Sequence, residues 1–132
     1  MVAKIDALEF AKRILEVSIT AAANAGVTTV ATVVGQPCLI ESIVVHADAA
    51  QTADMTTCAV EGGVGQVVTF IAIADAVQAN LDAADKQVAW VGAARLASGK
   101  TIVIDLLGTG ATAVDLTITI LYRSSIAEGY LV

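Results

Sequence analysis

Between Thr28 and Tyr122 the chain is a succession of short, β-branched apolar runs, each closed by a glycine, aspartate or proline signal. The last run shows the pattern most clearly. In Leu116–Tyr122, Leu116, Ile118, Ile120 and Tyr122 share one parity, and Thr117 and Thr119 share the other. A period of two places these sets on opposite faces of a strand. Thr28–Val34, Cys38–Ala47, Thr57–Val60, Gln66–Ile73, Val88–Val91 and Thr101–Leu107 read as further strands. Gly35-Gln36-Pro37 and Ser98-Gly99-Lys100 are turns, and Asp48–Thr56 is a polar loop. Ala74–Lys86 is an Asp- and Ala-rich connection with room for a helical turn at Asp75–Leu81. Short strands at this spacing predict a mainly β chain, a jelly-roll-like antiparallel β-sandwich of about seven or eight strands.

The beginning of the chain has a different period. Asp6 and Glu9 have capping-box spacing, with Ile5 and Phe10 placed for a hydrophobic staple. Glu9, Lys12, Arg13 and Glu16 fall on one helical face, and Leu8, Phe10, Ala11, Ile14, Leu15 and Val17 on the other. The spacing predicts one amphipathic helix over Asp6–Val17, within an N-terminal arm covering 1–26. Its continuation is contested by the β-branched run Val17-Ser18-Ile19-Thr20. The sandwich is expected over 27–125. The tail, 126–132, ends in Tyr130-Leu131-Val132, three apolar residues after Gly129. An apolar end needs cover, either from its own sandwich or from a neighbouring subunit. Ile5, Leu8, Phe10 and Ile14 on the helix, with Tyr130, Leu131 and Val132, are therefore the candidate interface residues.

Several chemistries are disfavoured by the residues themselves. Gly108-Thr109-Gly110-Ala111-Thr112-Ala113 spells a dinucleotide-binding fingerprint. That fingerprint works by opening a helix inside a βαβ unit, with the pyrophosphate on the helix N-terminus. Here the glycines run into an alternating strand, and too little chain follows for a crossover helix and a second parallel strand. The stretch reads as a hairpin turn between Thr101–Leu107 and Leu116–Tyr122. Gly62-Gly63-Val64-Gly65 lacks the Gly-Lys-Ser/Thr ending of a P-loop and reads as a bulge or tight bend.

Cys38 and His46 share strand parity, yet eight residues at ~3.3 Å each set them ~26 Å apart, too far for a nucleophile–base pair. Pairing of His46 with Cys58 stays open, as does a Cys38–Cys58 disulfide in an oxidising compartment. With two cysteines and one histidine there is no zinc-site spacing. Asp48, Asp54, Glu61, Asp75, Asp82 and Asp85 do not follow a calcium-loop pattern and read as a solvated acidic face, with an incidental Ca²⁺ between loops as the other reading. No cofactor, no metal and no catalytic residue is expected, so the chain is read as not an enzyme.

Composition bears on partners. Seven scattered Lys and Arg residues and a net charge of −6 disfavour nucleic acid and anionic lipid. The run from Val17 to Ile40 carries no charge but holds many threonines, glycines and a proline, so it is not a membrane span. The hydrophobic fraction is 57% with only 4% aromatic residues. A small, branched apolar surplus is buried naturally by a homo-oligomer. Trp90 and Tyr122 are expected to pack in a core or an interface.

The run "CLIESIVVHADAA…VEGGVGQVVTFIAI…VAWVGAARLASGKTIVIDLLGTGATAVDLTITILYRSS" resembles small virion-associated β-sandwich proteins of tailed phages, the capsid decoration or cement proteins, over about Val27 to Ser125. The likeness lies in short Ala/Val/Thr/Ile-rich strands, Gly-Thr-Gly turns, few aromatics and an acidic balance. It implies a non-enzymatic structural subunit on the capsid surface, soluble before assembly and often trimeric, whose partners are its own copies and the major capsid protein. A carbohydrate- or receptor-binding β-sandwich, such as a tail-associated domain using the Asp48–Asp54 and Asp75–Asp85 loops, is the alternative. A small enzyme using Cys58 or His46 is a third reading.

Overall fold

The computed structural model describes residues 12–20, 26–50, 57–63, 65, 67–76, 78–107, 115–124 and 129–132. Among these, nine strands form two antiparallel sheets. They are β1 (Arg13–Thr20), β2 (Gly26–Gly35), β3 (Cys38–Ala47), β4 (Thr57–Gly62), β5 (Val68–Ile71), β6 (Gln87–Leu96), β7 (Thr101–Leu107), β8 (Asp115–Ser124) and β9 (Gly129–Leu131). One sheet has the order β1-β8-β3-β6 and the other β5-β4-β7-β2-β9. The pairing is nested: first strand with eighth, second with seventh, third with sixth, fourth with fifth.

The seven strands expected from alternation are all present, and the run Leu116–Tyr122 is the centre of β8. The expected helix is not. Arg13–Val17, its second half, is strand, hydrogen-bonded to β8 with Arg13 opposite Tyr122 and Thr20 opposite Asp115. Ile5, Leu8 and Phe10 lie outside the described residues. The physical reason is visible in the side chains. Leu15, Val17 and Ile19 are spaced by two and turn toward the core, while Ile14, which the helical reading put on the same face as Leu15, is 67% exposed. The β-branched residues Val17, Ile19 and Thr20 suit a pleated surface, and β8 supplies a full ladder of partners from a hundred residues away.

Inward residues of both sheets meet in one core cluster. A row crosses the four-stranded sheet beneath it: Leu15, Ile120, Ile43 and Trp90 are register partners in turn. The opposite sheet contributes Val33, Val60, Ile102, Ile104 and Leu106. Where β5 and β6 approach at one side, Phe70 and Trp90 close the sandwich edge-to-face at 4.8 Å and 75°. Tyr122 is in the core, at 5% exposure.

Three turns show how sequence signals were used. Gly63 and Gly65 both have positive φ, 86° and 63°, and lie in the hairpin between β4 and β5, so the glycine cluster reverses the chain. The Asp75–Leu81 region contains one short 3-10 turn at Gln78–Asn80. The expected hairpin at 108–114 is overturned by topology. β7 pairs with β4 and β2, and β8 pairs with β1 and β3, so this connection passes from one sheet to the other. The residues of the connection, including Gly110, lie outside the described set. A hairpin was the natural reading because sequence neighbours usually pair, but each strand had a better-matched partner further away.

Candidate interaction surface

Two bulges shape the outer face of the four-stranded sheet. Glu41 is an extra residue in β3 relative to β8, and Gly92-Ala93 are two residues opposite that one in β6. A bulge shifts side-chain parity. Cys38, Ile40, Ile43, Val45 and Ala47 therefore all point inward, while His46 points out. This corrects the shared parity of Cys38 and His46: they sit on opposite faces of β3, one in the core and one on the surface.

Cys38 and Cys58 are both free and buried, on different sheets. Burial pushes the Cys38 thiol up, although the Arg13 charge acts in the other direction. Burial, with the Asp105 carboxylate adding to it, pushes Cys58 up from an ordinary value of 9.0 to about 12. A thiolate is therefore disfavoured at both positions, and strongly so at Cys58. The linkage sign follows. A thiol whose pKa is higher in the folded state contributes stability that is complete below the unfolded value and is lost as pH rises through the folded one. We expect urea midpoints to fall between pH 9.0 and about 12, and Cys58→Ala to flatten part of that decline. At neutral pH a disulfide exchange reagent should react with both thiols only at the rate of unfolding.

His46 organises one end of the outer face. Its Nδ1 is 2.9 Å from Asp48 Oδ1, and its Nε2 is 3.3 Å from Asp85 Oδ1. Thr117 Oγ1 donates to the other Asp48 oxygen at 2.6 Å. The backbone holds the same place: Asp48 N donates to Asp115 O at 2.9 Å, and Asp85 N to Ala47 O at 2.8 Å. Asp85 has φ 69°, a conformation aspartate tolerates better than most residues. The Asp48 and Asp85 loops, far apart in sequence, thus meet at one corner.

The other end is basic. The largely covered carboxylate of Glu41 lies between Arg123 Nε at 2.8 Å and Lys12 Nζ at 3.5 Å. The Arg123 contact is an ion pair and not an aligned hydrogen bond. Arg95 stands exposed beside Leu39, the register neighbour of Arg123. Between the two ends the surface is mixed, with Ser42, Thr119 and the exposed Glu16 set among apolar residues. Ile14 pairs with Leu121 across β1 and β8, and Val91, 81% exposed, occupies the same row on β6. Val44 and Ala89 pair in the next row.

The expected interface residues separate. Ile14 is exposed on this face. Tyr130 on β9 and Val132 just after it are exposed, at 41% and 59%, at the edge of the opposite sheet. Leu131 is buried at 5% in the core of its own chain, opposite Val33. Residues 129–132 are thus docked on their own sandwich, with alternate residues left outside, and 126–128 lie outside the described residues. Val91, Leu121, Val44 and the charges at either end were not among the expected residues. Val91 was legible as part of a strand, but its position on an outward face at a sheet edge depended on the Gly92-Ala93 bulge.

An open groove of about 550 Å³ lies where β5 meets β6, lined by Phe70, Asp75, Asn80, Lys86 and Gln87 among others. Two of its side-chain donors are already engaged: Asn80 Nδ2 donates to Asp75 O at 2.7 Å, and Lys86 Nζ to Ala79 O at 3.0 Å and to Asp82. Among the described residues, no group of three His, Cys, Asp or Glu side chains is placed to hold a metal ion. No helix among them is long and apolar enough to cross a membrane.

No family model and no curated protein sequence matches this chain. Comparison with solved structures finds a chain in the acidic stable capsid structure of Helicobacter pylori bacteriophage KHP30, with a TM-score of 0.55 and 13% identity. The likeness is one of fold. It covers 92% of this chain and 92% of that one, so it takes in both sheets and is not confined to a shared hairpin.

Proposed function

We propose that this protein is a structural subunit of a viral particle, most specifically a capsid decoration protein that binds and stabilises the shell through oligomeric contacts. The observation that carries the reading is the match in fold, over 92% of both chains, with a chain of a phage capsid. The strand order agrees with it. Nested antiparallel pairing, with alternate strands sent to two sheets, is the winding of a jelly roll, an architecture common in viral capsids. The surface agrees as well. Exposed apolar residues stand on both sheets, at Ile14 and Val91 on one and at Val27, Tyr130 and Val132 on the other. A subunit held by neighbours on two sides needs such surfaces. Its place is then the capsid surface, its partners its own copies and the major capsid protein, and a trimer is the state the decoration-protein likeness implies.

Purified particles from the genome that encodes this chain should contain it at a fixed ratio to the major capsid protein, by quantitative mass spectrometry. Particles stripped of it should take it back from solution to the same ratio. A chain found only in the unassembled soluble fraction, or one that ignores stripped particles, overturns the reading. The alternative, a carbohydrate- or receptor-binding module, has its best place in the β5–β6 groove. The Asn80 amide and the Lys86 ammonium in the groove are turned into the loop itself, which favours the structural role. Specific retention on a glycan array would reverse that preference.

A further inference from the structure

We infer that the free edge of β1 pairs with β1 of a second copy of this chain, antiparallel and centred on Val17, so that the two four-stranded sheets join into one. The sandwich has four edge strands, β1 and β6 on one sheet and β5 and β9 on the other. An exposed edge presents a row of unpaired N–H and C=O groups, and folded proteins blunt it by shortness, bulges or cover. β5 and β9 have four and three residues. β6 is interrupted by its bulge at Gly92-Ala93, and β5 approaches it with Phe70 against Trp90. β1 has none of these devices. It runs for eight residues, Arg13–Thr20, in unbroken register with β8, and contains no glycine or proline. Among the described residues no strand pairs with its outer side. The core is open along the same edge. Leu15 and Val17 pack against it yet stay only half-buried, and Ile14 beside them is 67% exposed.

A second copy is the occupant because β1 complements itself. A two-fold axis perpendicular to the sheet keeps the inward faces of both copies on one side, so each residue must meet one of like parity. Centred on Val17, the register sets Val17 against Val17 and Leu15 against Ile19 on the inward side, and Glu16 against Ser18 and Ile14 against Thr20 on the outer side. The inward row of Leu15, Val17 and Ile19 then continues across the axis as one apolar strip, which covers what Leu15 and Val17 leave exposed. Centring on Glu16 sets the two carboxylates directly opposite each other, which is repulsive. Centring on Leu15 or on Ser18 shortens the ladder to 13–17 or 16–20. The Val17 register pairs residues 14–20 of each copy, about 23 Å of strand at ~3.3 Å per residue. It supplies about six to eight backbone hydrogen bonds between groups that face water in the monomer. A contact one strand long is smaller than a standard interface, so the association is expected to be weak, with a Kd on the order of tens of micromolar. The inference does not depend on the virion role, and the two-fold mass tells this contact from the trimer proposed above.

Sedimentation velocity and hydrogen exchange of the full chain, each over a range of concentrations, test it together. One alternate set of β1 amides bonds to β8 in either state, and the other set points outward. We expect the outward set to gain protection as concentration rises, in step with a shift from monomer to dimer, or to even-numbered species if a second contact adds to this one. Rising salt should not weaken the association, because no ion pair holds it. Glu16 and Ser18 are exposed, so charges placed there leave the fold intact. Ser18→Glu sets a carboxylate opposite the partner's Glu16, twice per dimer, and should weaken association about tenfold. Adding Glu16→Lys to it puts opposite charges across the axis and should recover the wild-type affinity. Circular dichroism melts confirm that each variant is folded. A wild-type chain that stays monomeric at millimolar concentration overturns the inference. So does an outward set equally protected at every concentration, which would mean that the chain covers this edge itself. An oligomer, trimer included, whose affinity ignores Ser18→Glu overturns it as well.

Discussion

Replacing Ile43 with alanine is expected to remove about 2–5 kcal/mol of folding stability, a large share of the roughly 5–15 kcal/mol that holds a domain of this kind together. Ile43 is fully buried at the centre of the row Leu15–Ile120–Ile43–Trp90, so every neighbour that relaxes into the cavity must leave a contact of its own. Val44, the next residue, points to the outer face, and Val44→Ala should cost less than about 1 kcal/mol. Chemical denaturation of the two variants gives a clean comparison. Equal losses would mean that the parity of β3 after its bulge is wrong, and with it the assignment of the outer face.

Gly129→Ala is expected to release β9 from the sandwich. A methyl group there would lie 2.6 Å from Gln36 O, 2.6 Å from Ser124 Oγ and 2.9 Å from Pro37 O. Two of these are backbone oxygens beside the turn that enters β3, and they cannot step aside as the end of a long side chain could. The same glycine donates its N–H to Ser124 Oγ at 2.9 Å, a buried contact that the displaced backbone would lose. We expect a loss of about 1–3 kcal/mol in global stability. Hydrogen exchange should show the first effect at Val33–Gly35, the residues β9 pairs with, and at Thr32, whose N–H donates to Val132 O. Normal protection there in Gly129→Ala would show that the close approach is relieved by some other movement.

These two sites illustrate different kinds of legibility. Ile43 belongs to a run, Cys38–Ala47, whose length and β-branched content identify it as a strand without any structure. The bulge at Glu41 has no comparable signal. A charged residue in a strand reads as an outward one, and nothing in the local sequence says that the parity changes there. That single extra residue separated Cys38 from His46 and put Val44 and His46 on the surface. Gly129 has no local signal either, since its need for a missing side chain comes from Gln36 and Pro37.

The N-terminal segment is instructive in the same way. Arg13–Val17 satisfies a helical period and a strand period together, because Ile14, Leu15 and Val17 place an apolar residue on a face in both. The choice was made by β8, which offers an eight-residue ladder, and by the core, which takes Leu15, Val17 and Ile19. Likewise, Asp48 and Asp85 were legible as members of an acidic set, but their convergence on His46 required the loops to be brought together.

The sequence by itself determined the class of structure: alternation of period two, turn residues between runs and few aromatics dictate a chain of short antiparallel strands, because those are properties of neighbours along the backbone. Which strand pairs with which, where parity slips, and which face carries charges at its ends were decided only by tertiary structure. Those outcomes depend on hydrogen-bond ladders and core contacts between residues as far apart as Arg13 and Tyr122, and no local pattern encodes a partner at that distance.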